Sequence, residues 1–197
     1  MVARAVSGRG RVLSELSRAT RAEIDRLRRV PRGRPADVPR PGPAQESVWD
    51  YPRPPRVERV AKRVRVEFAG LVIAETTSAL RVVETAGAPV YYLPRDEVAV
   101  QHLTPQPERS LCEWKGQARY WTLRVGDRTS RAAAFSYAEP FEGYDAIRDH
   151  LAFYAGRVDA CSVGGVAATP QPGGFYAGWV TPEILGPIKG VPGSEGW

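Results

Sequence analysis

Two cysteines, two histidines, one methionine and three lysines in 197 residues make this chain poor in the usual chemical side chains. Each scarcity excludes something. Cys112 and Cys161 cannot build a disulfide framework, so a reducing cytoplasm is the expected location. No CxxC, HExxH or histidine pair occurs, and neither cysteine has a histidine near it in sequence. That removes the common zinc sites, and no metal or cofactor is expected. There is no GxxxxGK followed by Ser or Thr, no GxGxxG after a strand, and no GxSxG. The P-loop, the dinucleotide-binding turn and the hydrolase elbow therefore have no anchor here. No window approaches the roughly 18 apolar residues of a membrane span. The Arg-rich N-terminus lacks the continuous apolar run of a signal peptide.

What is present points to a β-rich, loop-rich domain. Nineteen glycines and 18 prolines accompany 43% hydrophobic residues and 9% aromatics, enough for one ordinary core with appendages. The net charge of +6 is unevenly placed. Residues 1–45 hold 11 Arg against 4 acidic residues, whereas residues 46–197 hold 17 basic against 18 acidic residues. The excess basicity thus sits in an N-terminal arm, and the rest gives no electrostatic case for nucleic acid. Weak nucleic-acid contacts could come from the arm alone.

Along the chain, residues 1–45 read as an Arg- and Pro-rich, disordered arm in which one short helix can form. Leu13, Leu16, Ile24, Leu27 and Val30 fall roughly on one helical face between 11 and 30, and five prolines from Pro31 to Pro43 make a linker. The domain begins near Glu46. Short alternating runs predict strands at 63–68, 71–74, 80–84, 90–93, 118–125, 128–135, 151–154 and 158–163, with turns at Ala69-Gly70 and Gly126-Asp127. A short helix is expected from Pro94 to Leu103, ended by Pro105 and Pro107, and one or two helical turns from Tyr144 to His150. Residues 164–197 form a Gly/Pro-rich tail whose Phe175, Tyr176, Trp179 and Trp197 should pack on the domain.

One stretch concentrates the scarce residues. Ser110 to Trp121 holds Cys112, Trp114, Lys115, Tyr120 and Trp121, and a glycine follows the lysine directly. Four units then stand in order: Trp49-Asp50-Tyr51-Pro52-Arg53; Pro89-Val90-Tyr91-Tyr92-Leu93-Pro94; Leu111-Cys112-Glu113-Trp114-Lys115-Gly116 with Ala118 and Tyr120; and Phe135-Ser136-Tyr137 before Pro140. Together they resemble the domain-of-unknown-function 427 family over about residues 46–163, and the tail from Pro172 to Pro182 is similar to that of actinobacterial members. The resemblance implies a bacterial protein and a small curved antiparallel β domain of β-tent type with one or two short helices. That shape is shared with methionine sulfoxide reductase B and zinc-bearing exchange-factor-like domains. The paired CxxC knuckles of those relatives are missing, so their metal does not carry over. Family members often have Trp where Phe135 stands. A nucleotidyltransferase label attached to the family finds no Gly-Ser and paired-Asp pattern in this chain.

The candidate site residues follow from chemistry. Lys115 is a potential fixed cation or reactive amine, since burial shifts lysine readily; it could also pair with Glu113 or Glu139, or reach solvent. Cys112, three residues away, is a thiol that a nearby cation could activate, or a small packing residue. Trp114, Tyr120, Tyr92 and Tyr137, with Glu139, are the expected walls of a small-molecule pocket, or ordinary core aromatics. His102 and His150 are expected at helix surfaces. Two functions remain open: a module that binds an unidentified metabolite, and an enzyme using Lys115 and Cys112. Assembly as a homo-oligomer is also open.

Overall fold

Period-two alternation dictates most of the architecture. The computed structural model describes residues 16–197, so Leu13 of the expected arm helix lies outside the described residues. From Ser17, whose hydroxyl accepts from the Thr20 amide, helix α1 (Arg18–Arg29) follows. The strands are β1 (Glu46–Ser47), β2 (Arg56–Arg59), β3 (Val64–Phe68), β4 (Leu71–Thr76), β5 (Leu80–Glu84), β6 (Gly87–Pro94), β7 (Leu103–Cys112), β8 (Gly116–Val125) and β9 (Arg128–Ser136). After them come β10 (His150–Phe153), β11 (Ala160–Val163), β12 (Val166–Ala167), β13 (Thr169–Pro170), β14 (Trp179–Val180) and β15 (Ile184–Leu185).

A seven-stranded sheet in the order β2-β5-β6-β10-β9-β8-β7 faces a four-stranded sheet, β12-β11-β3-β4. Their described pairings are antiparallel, and neither closes into a barrel. Only the two-residue pair β1 and β15 runs parallel among the described strands. This is the mainly β, open and curved domain that the family resemblance implies. The β3–β4 hairpin turns at Ala69 and Gly70, both at positive φ, the turn geometry that suits the twist of a two-residue hairpin.

Between the sheets lies the main core. Val64, Val66 and Phe68 of β3 and Ile73 of β4 meet Leu93, Leu123, Leu151 and Phe153 of the larger sheet. Trp179 of the tail is fully buried there and donates its indole N–H to the Phe153 carbonyl at 2.9 Å. Each such large apolar side chain contributes about 1.5–3 kcal/mol by leaving water. Because neighbours on a strand point to opposite faces, Tyr92, Phe135 and Ala152 pack on the far side of the same sheet, in a second cluster.

One expected element differs, together with its end. In place of a helix over Pro94 to Leu103 stand two short 3-10 turns, Arg95–Glu97 and Val100–His102. The following Pro105 and Pro107 lie inside β7 instead of ending a helix. β7 is an edge strand, where a missing N–H is tolerated, and its register to β8 shifts between Pro105 and Arg109.

The arm makes defined contacts with the domain. Ile24 of α1 is buried. Arg28 donates to the Glu113 carbonyl at 2.7 Å and lies over the Trp114 ring, while Arg53 donates to the Leu27 carbonyl at 3.0 Å. Farther on, the Gly33 amide donates to the Gly196 carbonyl, and Arg34 to the Trp49 carbonyl. No described helix is long and apolar enough to cross a membrane.

Candidate functional site

The far face of the large sheet floors a cavity of about 320 Å³. Strand register explains the floor. Leu80 of β5 stands opposite Tyr92 of β6, Tyr92 opposite Ala152 of β10, Ala152 opposite Phe135 of β9, and Phe135 opposite Tyr120 of β8. One row of side chains thus crosses five strands. The small Ala152 at its centre lets the Tyr92 and Phe135 rings meet edge to face above it, at 6.1 Å between centroids. Tyr120 and Tyr154 extend the aromatic floor around Phe135 at 6.4 and 5.4 Å. The Tyr120 and Ser110 hydroxyls hydrogen-bond at 2.7 Å and hold that ring in place.

The β7–β8 turn supplies the next wall. Cys112 ends β7, Lys115 lies in the turn, and Gly116 opens β8 at φ +97°. A Cβ at Gly116 would also approach Phe141 at 3.2 Å and the Glu139 carbonyl at 3.3 Å, so the turn that presents Lys115 needs its glycine. Lys115 lines the cavity, with its ammonium 5.9 Å from the Tyr137 ring centroid. Among the described residues it forms no ion pair. Desolvation acts to lower its pKa, but Tyr137, Cys112, Tyr92 and Glu84 around it favour the charged form, and the net direction is well upward. Tyr137 is pushed up as well, by burial first, with Lys115 opposing, and Tyr92 likewise. Burial thus holds the phenols around Lys115 in their neutral form.

Two segments remote in sequence complete the cavity. From the tail comes Lys189, whose backbone amide donates to the Ala86 carbonyl at 2.8 Å. Its side chain is 7% exposed, stands 3.5 Å from Glu84 and lies over Tyr176. Burial lowers its pKa; Glu84 opposes this, and Arg32 and Lys115 reinforce it. Gln171 fixes this segment: its side-chain oxygen accepts from the Ala88 amide and its nitrogen donates to the Lys189 carbonyl, both at 3.0 Å. Tyr176 and the 77%-exposed Phe175 stand at the cavity edge, their rings 5.0 Å apart. From the arm come Leu27 and Arg32. Beneath them Arg53 binds Glu84 at 2.9 Å and Glu113 at 3.5 Å, and covers Trp114.

Of the residues the sequence singles out, Lys115, Cys112, Tyr92, Tyr120 and Tyr137 meet in this cavity. Trp114 and Glu139 do not line it. Trp114 is buried under Arg28 and Arg53, and Glu139 is exposed beside a smaller depression with Leu16, Leu111 and Arg119. The sequence reading overlooked Lys189, Glu84, Arg32, Phe135 and Tyr154. One signal was available for the first: with three lysines in the chain, two line the same cavity, while Lys62 forms an exposed ion pair with Glu183. His150 is half-buried in β10 instead of lying on a helix surface, and its Nδ1 has no partner among the described residues. Cys161 is buried in the main core, where burial pushes its thiol up to about 12. No group of three or more His, Cys, Asp or Glu among the described residues is placed to hold a metal.

Residues 56–164, more than half of the chain, match the model of a family described as a domain of unknown function (DUF427). The chain belongs to that family. A search among curated proteins gives no match.

Proposed function

We propose that this domain is a binding module whose cavity holds a small organic molecule, and that Lys115 meets the ligand as a fixed ammonium. The observation that carries the reading is the setting of Lys115. It lines an aromatic-floored cavity and forms no ion pair among the described residues. A structural lysine of this burial would be matched to a carboxylate, because an unpaired buried charge is costly. A Schiff-base or general-base lysine would need its free amine near neutral pH. Among the described residues no carboxylate or imidazole stands within ion-pair distance of Lys115 to take up or return its proton, which favours binding over the alternative in which Lys115 and Cys112 act as reactive groups.

Ligand pockets are mostly apolar with a few convergent polar groups, and this one conforms: Phe135, Tyr120 and Tyr154 form its body, with Lys115 and Lys189 at its walls. The test is recovery of the protein from its own host, followed by mass spectrometry of the small molecules released on denaturation. Val90, a half-buried wall residue on β6, provides the control. Val90→Trp fills the cavity with a side chain suited to a strand. The reading expects a compound enriched with the wild-type protein and missing from the Val90→Trp variant. Identical extracts from the two would refute it.

A further inference from the structure

We infer that the cavity selects a small organic anion: an oxyanion head, carboxylate or phosphate, on a flat apolar body. The inference rests on the binding reading above and adds the sign and class of the ligand. Three cationic side chains line the cavity, Arg32, Lys115 and Lys189, against two carboxylates, Glu84 and Glu113. Both carboxylates are already committed. Arg53, behind the wall, contacts the two of them, and Glu84 also meets Lys189. That leaves Lys115 and Arg32 without a counter-ion among the described residues.

Two further donors point the same way. Arg32 Nε and the Tyr92 hydroxyl are buried and have no hydrogen-bond partner among the described residues. Buried donors of this kind are ordinarily satisfied, and each left alone is costly. A single ligand oxyanion would answer several of them together, because charged acceptors make the strongest such bonds. The charges of Arg32 and Lys115 both act on Lys189, so the three cations share one local field. Other lining residues carry no charge: Phe135, Tyr154, Val82 and Ala118 present ring and aliphatic surface for a flat body.

The experiment titrates four probes of one shape into the full chain by calorimetry: 2-naphthoate, 2-naphthyl phosphate, the neutral 2-naphthylmethanol, and 2-naphthylmethylammonium. At least one oxyanion should bind about ten- to hundredfold more tightly than the alcohol, the worth of one charge-assisted hydrogen bond. The stronger of the two oxyanions tells a carboxylate site from a phosphate site. The ammonium probe should bind most weakly. In Lys115→Met the oxyanion should lose more affinity than the alcohol does. If the alcohol or the ammonium binds wild type as tightly as the better oxyanion, the anion assignment fails and the binding module stands. An oxyanion preference that survives in full when Lys115 and Arg32 are both replaced by Met also overturns it. If none of the four probes binds, the cavity reading fails along with the anion.

Discussion

Replacing Gln171 by Met should cost the fold about 2–6 kcal/mol, although the two side chains are nearly the same length. Gln171 is 3% exposed and bridges two buried backbone groups, the Ala88 N–H and the Lys189 C=O. Methionine fills the volume without leaving a hole but answers neither group. Each buried polar group stranded in this way costs about 1–3 kcal/mol, and two are stranded. Little room exists for relaxation, because a Cβ at Gly178 would already sit 2.2 Å from the Gln171 oxygen and 2.7 Å from the Ala88 carbonyl. For a chain of this size each kcal/mol moves the melting point by about 2–4 °C, so a fall of roughly 4–24 °C is expected. The assay is equilibrium unfolding in urea, read as a shift in midpoint at constant slope. The same variant should loosen Lys189, and so weaken binding of any anionic probe. A stability loss under about 1 kcal/mol would refute the claim that the tail is pinned to β6 through this side chain.

Three more outcomes follow from the same contacts. Arg53→Met leaves Glu84 and Glu113 without their shared cation behind the cavity, and should destabilise by about 3–5 kcal/mol in urea unfolding. Gly116→Ala places a side chain at φ +97° against Phe141 and should lower stability by about 1–3 kcal/mol, with a corresponding drop in melting temperature. His150 has its pKa held below 6.5 by burial, with Asp149 and Asp96 opposing. The folded state thus binds fewer protons there than the unfolded chain. Its contribution to stability is complete above the unfolded value and is lost as pH falls through the folded one. Unfolding free energies measured near pH 7.5 and again near pH 5.5 should therefore diverge less in His150→Gln than in wild type.

The strands were legible wherever one face is buried and the other is not. Val64–Phe68 alternates, and the structure places Val64, Val66 and Phe68 in the core. β7 was not legible, because Pro105 and Pro107 signal a break, and only the edge position of the strand makes them acceptable. At the site, the local cluster around Cys112 and Lys115 could be read because a single turn brings those residues together. Glu139, a possible partner of Lys115 by sequence, is left outside because the chain bends after Ser136. Lys189 and Arg32 reach the cavity only through the tail and the arm. Those contacts depend on Gln171 and on the arginine contacts made around Glu113 and Leu27, which no local pattern announces. Sequence periodicity reports which face of an element is buried. It does not report which distant segment covers that face.

The central claim is that Lys115 serves the cavity and not the fold. Equilibrium unfolding of Lys115→Met tests it most directly, because methionine keeps the bulk of the side chain and removes the charge. With no carboxylate partner among the described residues to strand, the variant should be as stable as wild type or more stable. A loss of about 3–5 kcal/mol would show that the ammonium is half of a structural pair, and would contradict the account.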